Sequence, residues 1–353
     1  MEGTPVTGNA PVRYAAPLGV VFLLVFSIFG LSSCGREKKS FEGIHVVFFA
    51  GGPQGDSFAG IVQSGAEAAR NDLGCSVDFV WSDWDARKMA LQFKDAVSKS
   101  PDAICMMGHP GGGTLSPLID EAVRKGIIVT LQNVDIPKIR EKYAAKGLGY
   151  VGQELYSSGK MLSSGCVRKF GLKAGEEAIV FGINIKTGEG TQYMDSESRS
   201  RRSQGCIDAL EQSGIKVHAV NIPLDVEKNP NSEAGLALFA GAFKVFPKAR
   251  FIVVDHGPVT SAVGSILKSL GKKPGEIIVG GFDLSAKTVD AVREGYVGLV
   301  HDQQPYLQGY LPVLQACLTK KYGFSGLYVD TGVGLVDNSN IEVLADLARR
   351  KIR

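Results

Sequence analysis

Short runs of consecutive apolar residues alternate along this chain with stretches whose apolar positions recur every three or four residues. Ile44-His-Val-Val-Phe-Phe-Ala50 is the first run, and its length suits one strand buried on both faces. Residues 57–73 follow with Phe58, Ile61, Ala66 and Ala69 on one helical face. The alternation continues as strand 76–81, helix 87–98, strand 103–107, helix 116–125 and strand 127–131. Residues 135–146 read as polar and irregular, and 148–151 as a short strand. A second series then begins. Its helices are expected at 156–170, 199–213, 233–245, 259–270, 286–294 and 306–320, and a terminal one at 341–351. Its strands are expected at 177–183, 216–222, 251–254, 277–282 and 297–301, with 327–336 extended. Strand and helix in alternation predict a parallel sheet with right-handed crossovers. Two such series predict an α/β chain of two doubly wound lobes.

Composition adds little to this and excludes some classes. The chain has 353 residues, 44% of them hydrophobic and 21% charged, and a formal net charge of +3. So small a charge over this length is no nucleic-acid footprint. One segment stands apart from the fold. Leu18 to Leu31 is an apolar run preceded by Arg13, too short for a membrane span and right for a signal-peptide core. It ends in Leu31-Ser32-Ser33-Cys34, which resembles a bacterial lipobox, although Ser33 departs from the commoner Gly or Ala. That resemblance implies a signal peptide over 1–33, acylation (palmitate included) of Cys34, a tether over 34–43, and a chain anchored in the bacterial cell membrane facing the periplasm. The other cysteines, at 75, 105, 166, 206 and 317, form no C-x-x-C pair and read as buried free thiols.

Candidate chemistry gathers where strands end, the place at which ligands collect on open α/β sheets. Ile277-Ile-Val-Gly-Gly-Phe-Asp283 delivers an aromatic and a carboxylate, Phe282 and Asp283, to a helix mouth. A ring covers the apolar face of a sugar-like ligand and a carboxylate takes its hydroxyl protons. A bare helix cap is the competing reading for Asp283. Trp81 and Trp84, the two tryptophans, flank Ser82-Asp83 after the second strand, and Tyr193 and Tyr306 are further flat residues near the motifs.

With Gly51 to Gly60, Pro110-Gly-Gly-Gly, Arg202-Ser-Gln-Gly205, Asp255, Gly281-Phe-Asp and Asp302-Gln-Gln-Pro-Tyr-Leu-Gln-Gly309, the order of motifs resembles type I periplasmic binding proteins of ABC importers, in the ribose-binding branch. The resemblance covers essentially Ile44 to the end and implies two lobes closing about a three-strand hinge. It implies an N-terminal lobe of 44–152 plus 304–330 and a C-terminal lobe of 153–303 plus 331–353. Carried over by position, it implies ligand contacts at Asp56, Phe58, Gln132, Asn133, Arg202, Asp255, Phe282, Asp283 and Gln303, with Trp84 added from its place beside them. It also implies a monomer whose partners are a permease and an ATPase, with no cofactor, no nucleic acid and no catalysis.

Where ribose-binding proteins carry an Asp-Arg pair, this chain has Gln132-Asn133. Side-by-side amides offer a donor and an acceptor edge, which suits a ring amide better than vicinal hydroxyls. The lead expectation is therefore riboflavin, as cargo, and the chain is similar to the spirochaetal riboflavin-binding lipoproteins of this superfamily. A simple pentose or hexose is the alternative, and a nucleoside comes third. Gly108-His-Pro-Gly-Gly-Gly-Thr lacks the Lys-Ser/Thr ending of a P-loop and reads as a turn lining the cleft. Gly188-Glu-Gly lacks the spacing of a dinucleotide fingerprint. The five histidines share no metal spacing, though His109 and His256 are placed to line a cleft. Arg199-Ser-Arg-Arg202 reads as one ligand contact plus solvated charges.

Overall fold

A computed structural model describes residues 40–183 and 196–353 of the chain, without the side chains of 196–199. Cys34, the preceding leader, Tyr193 and Gly188-Glu-Gly lie outside the described residues. The first series forms β1 (His45–Phe49), α1 (Ser57–Leu73), β2 (Ser76–Val80), α2 (Ala86–Ser98), β3 (Ala103–Met107), α3 (Gly111–Arg124), β4 (Ile128–Gln132), α4 (Pro137–Tyr143) and β5 (Tyr150–Gly152). The second forms α5 (Leu155–Phe170), β6 (Glu177–Gly182), α6 (Ser196–Gln212), β7 (Lys216–Asn221), α7 (Leu224–Lys228), α8 (Glu233–Val245), β8 (Phe251–Val254), α9 (Gly257–Ser269), β9 (Ile278–Phe282), α10 (Ala286–Arg293) and β10 (Leu299–Asp302). Then come α11 (Pro305–Tyr322), β11 (Tyr328–Asp330), β12 (Gly334–Val336) and α12 (Ile341–Arg349).

The strands build two six-stranded sheets, in the orders β11-β5-β4-β3-β1-β2 and β12-β10-β9-β8-β6-β7. Every pairing is parallel except β10 with β12. The central strands are buried along all or all but the first of their residues, as β3 (AICMM) and β9 (IVGGF) are, because helices cover both faces. The chain crosses between sheets three times: after β5, after β10, and between β11 and β12. All three crossings leave from the carboxyl ends of parallel strands, β5, β10 and β11, so these ends of both sheets lie beside the hinge.

Two expectations need correction, and a third, the extended stretch 327–336, is refined. Residues 135–146 contain α4, whose sequence PKIREKY buries only Ile139 and so shows no apolar periodicity. Gly111–Gly113 are the first turn of α3 rather than a free turn, entered from Pro110 without a side-chain cap. Residues 327–336 are two strands in different sheets.

Glycines let paired helices touch. A Cβ on Gly65 of α1 would overlap the Tyr306 carbonyl of α11, and one on Gly309 would overlap the Val62 carbonyl. The second lobe repeats the device: Gly159 of α5 lies against the Arg202 carbonyl of α6, and Gly205 against that of Tyr156. This contact fixes the backbone of Arg202 from beneath.

Candidate functional site

Backbone geometry marks the site before any side chain does. Of the seven described non-glycine residues with positive φ, five follow strand ends: Asp83 and Trp84 after β2, Asn133 after β4, Asp283 after β9 and Gln304 after β10. Asn and Asp tolerate this conformation, whereas Trp and Gln hold it only under tertiary constraint, and such strain clusters at functional sites.

The polar centre is a chain of amides around Gln303. Asn133 Nδ2 donates to Gln303 Oε1 at 3.3 Å and to Gln308 Oε1 at 3.1 Å. Gln153 Nε2 donates to the same Gln303 oxygen at 2.8 Å. At its other end Gln303 Nε2 donates to Asp283 Oδ1 at 2.6 Å. One side chain at the crossing thus links the end of β4 in the first sheet to the end of β9 in the second. Helix α10 is capped by Ser285, whose hydroxyl accepts from Thr288 N, so Asp283 is not that helix's cap. Its Oδ2 lies instead at the start of α9, where a Cβ on Gly257 would come within 2.7 Å. Burial pushes the Asp283 carboxyl above its usual range, only partly offset by Arg202 and by the bond from Gln303.

Arg202, Asp255 and Phe282 form a second group in direct contact with the first. The Arg202 guanidinium lies 4.6 Å from the centre of the Phe282 ring and donates through NH1 to the Asp255 carbonyl at 2.6 Å. Its Nε has no partner although the side chain is only 9% exposed. Both oxygens of the Asp255 carboxylate are taken, one by the Ser203 hydroxyl and the other by His256 Nδ1 at 2.5 Å. Phe282 is fully buried, with His301 at 5.1 Å on its other flank. The expected bare stacking ring is therefore a floor under Arg202. Asp255 likewise supports Arg202 and Ser203 instead of standing open.

Asp56, Phe58 and Trp84 form a third group at the ends of β1 and β2. Asp56 caps α1 through Ala59 N at 2.8 Å and accepts from Trp84 Nε1 at 3.2 Å. The indole packs on Gly51 and Gly52, where an added Cβ would approach it to 2.6 and 2.8 Å. Phe58 and His109 stand 6.0 and 5.6 Å from it, and all three rings are partly exposed. Trp81 is a separate ring, stacked on Phe79. Tyr306 stacks on Tyr310 along α11 and joins none of these groups.

The structure separates Gln132 from Asn133. Gln132 is fully buried and donates to the Phe49 carbonyl at 3.0 Å, while Asn133 turns to Gln303 and Gln308. The side-by-side amide edge expected from the sequence is not formed. Gln153, Gln308 and Ser203 were missed by sequence reasoning. Each is an uncharged polar side chain just past a strand end or inside a quoted motif, which was the signal available. A cavity of about 250 Å³ opens at the first crossing, lined by Asp135, Arg140, Tyr150, Gln153, Glu154 and Arg201 among others. Among the described residues no three His, Cys, Asp or Glu side chains come together as metal ligands. The five described cysteines are buried and free.

Known proteins are similar to this chain. The xylose/arabinose-binding protein XylF of Sulfolobus acidocaldarius is 27% identical over 302 residues, covering 79% of this chain and 68% of that protein. A carbohydrate transporter of Acidothermus cellulolyticus, solved with myo-inositol, superposes with a TM-score of 0.69 at 22% identity, over 88% of this chain and 99% of that one. A solute-binding protein of an Agrobacterium vitis ABC transporter, solved with D-fucose, gives 0.70 at 19% identity, over 87% and 99%. These two likenesses bear on the fold, which they share with this chain. The periplasmic binding protein domain model matches residues 47–319, spanning both sheets and two of the three crossings, and the chain belongs to that family.

Proposed function

We propose that this chain is the substrate-capturing subunit of an ABC importer and clamps a neutral monosaccharide, a pentose or hexose, between its lobes. The observation that carries the reading is the Asn133–Gln303–Asp283 chain, which brings amide and carboxylate groups from both sheets to one crossing. Amides donate and accept, a carboxylate accepts, and Arg202 donates; together they match hydroxyls that do both. Phe58, Trp84 and His109 supply apolar faces for the C–H side of a pyranose or furanose. Arg202 stands by Asp283 and bonds to the Asp255 backbone, so no surplus cation invites a phosphorylated ligand. Closure of the lobes adds bonds from both sides at once, and this is where affinity comes from. Release to a permease follows from reopening, and the sugar leaves chemically unchanged.

Riboflavin is the weaker reading. It leaned on a paired amide edge, and Gln132 faces the core instead. The XylF relative, named for xylose and arabinose, also favours a sugar. Purified, ligand-stripped protein is expected to gain several degrees of melting temperature with at least one aldopentose or aldohexose and none with riboflavin. Binding to the native state alone raises stability by about 2.7 kcal/mol at a hundredfold excess over Kd. A yellow preparation carrying flavin absorbance, or no shift with any aldose, would overturn the proposal.

Outside the cytoplasm the chain is read as held by an acyl group on Cys34, from Leu31-Ser32-Ser33-Cys34. The intact mass of membrane-extracted protein tests this, and an unmodified Cys34 ends it.

A further inference from the structure

The described surface has nine exposed large apolar side chains, and three of them fall within six residues at the end of α11 and just after it: Tyr322, Phe324 and Leu327, each 56–58% exposed. Scattered apolar residues need no explanation, but a cluster does. Tyr322 stands 6.3 Å from Phe41 and 6.0 Å from Phe324, so the rings run continuously from where the described chain starts. Lys321 Nζ donates to the Ser40 carbonyl at 2.7 Å and sits 5.2 Å from the Phe41 and Tyr322 rings. Exposed Lys146 lies in the adjoining 3-10 turn Ala144–Lys146, which Gly326 N joins through the Ala144 carbonyl at 2.8 Å.

The position of this patch matters. It lies at the carboxyl end of α11, an 18-residue helix about 27 Å long. Helices run antiparallel to the strands of a parallel sheet, so Tyr322 and Phe324, with Leu327 at the entry to β11, lie toward the pole of the first lobe opposite the strand ends that carry Asn133 and Trp84, whereas Tyr328 lines the cavity at the first crossing and Val333 follows the carboxyl end of β11. Exposed aromatic rings beside lysines are the side chains that settle at a lipid–water boundary, ring in the interface and ammonium at the headgroups.

We infer that this pole rests on an anionic lipid surface. The inference stands on the Cys34 anchor proposed above. Cys34 precedes Ser40 by six residues, a length that reaches about 20 Å at full extension. An acylated Cys34 therefore keeps Ser40, to which Lys321 of the patch is bonded, within about that distance of the bilayer. Arg36, Lys38 and Lys39 in the same short segment add charge of the sign that anionic headgroups attract. Resting on this pole, the first lobe is held while the cleft and second lobe stay clear to move.

The full chain, extracted and reconstituted into vesicles of phosphatidylcholine and phosphatidylglycerol, tests this. An environment-sensitive fluorophore is placed at Leu327→Cys, or at Val245→Cys on α8 as the distant control; the native described cysteines are buried. Brominated lipid is expected to quench the label at 327 several-fold more than that at 245. Adding Tyr322→Ser and Phe324→Ser should bring the two levels together. Equal quenching in the unsubstituted patch overturns the inference, as does a label at 327 protected only when the importer's membrane subunits are present. Intact mass separates the two failures. An acylated Cys34 with an unquenched label overturns the docking alone, and an unmodified Cys34 overturns both docking and anchor.

Discussion

Arg202 is the side chain on which the proposed site turns. It lies on a buried ring, is tied to the Asp255 backbone, and keeps Nε free of any partner. Its environment separates two kinds of variant. Phe282→Ala removes a fully buried ring from the core and should lower the unfolding free energy by about 3–5 kcal/mol, read by urea denaturation. An unchanged midpoint would mean that the ring is not packed as described. Asp283→Asn should do the opposite to stability. The Asp283 carboxyl is raised by burial, so its favourable contribution is complete below the ordinary carboxylate range and lost as pH climbs through the raised value. At neutral pH the amide should therefore melt no lower than the parent while binding sugar at least tenfold more weakly. Equal affinity would remove Asp283 from the site. His301 supplies a second pH signature. Burial lowers its pKa from 6.5 to about 4, and its Nε2 bonds to the Gly332 carbonyl in the third crossing at 2.9 Å. The unfolded chain takes up the proton first, so stability is full above pH 6.5 and falls as pH drops towards about 4. His301→Gln should flatten that decline between pH 6.5 and 4.5; an unaltered slope would assign it to other groups.

The element scale shows how far the sequence could be read. Continuous apolar runs such as FIVV and AICMM, short and set between turn signals, read as strands covered on both faces, and they appear where the pattern put them. Helix α4 escaped notice because a helix with one buried residue leaves no periodic trace. Glycines at 111–113 pointed to a loop, yet a helix's first turn needs little from its side chains. The positions of the site residues were legible for the same reason as the strands, since polar residues after apolar runs mark strand ends. Their orientations were not. Whether Phe282 meets a ligand or an arginine, and whether Gln132 faces the cleft or β1, depends on packing between elements distant in sequence. The glycine contacts are of that kind too. Gly159→Ala would force α5 off α6 at the Arg202 carbonyl, so it should lower both the denaturation midpoint and sugar affinity. Loss of stability with affinity intact would show that Arg202 is not positioned from beneath.

For the whole molecule, the hinge is the centre. Arg353 donates to the buried carboxylate of Asp302 through Nε at 2.8 Å and NH2 at 2.5 Å, and Asp302 in turn receives Gln304 N. The tail thereby holds the crossing that carries Gln303. Arg353→Ala leaves a charge buried without its partner and should cost on the order of 3 kcal/mol, read by denaturation. The central claim is that two hinged lobes clamp a neutral sugar without altering it. Small-angle scattering of ligand-stripped protein, titrated with D-xylose, L-arabinose and a panel of other aldoses, tests it most directly. The expected result is a saturable fall in radius of gyration with at least one sugar, reversed on dialysis, with that sugar recovered intact. A radius that no monosaccharide changes, or a sugar recovered as a different compound, would contradict it.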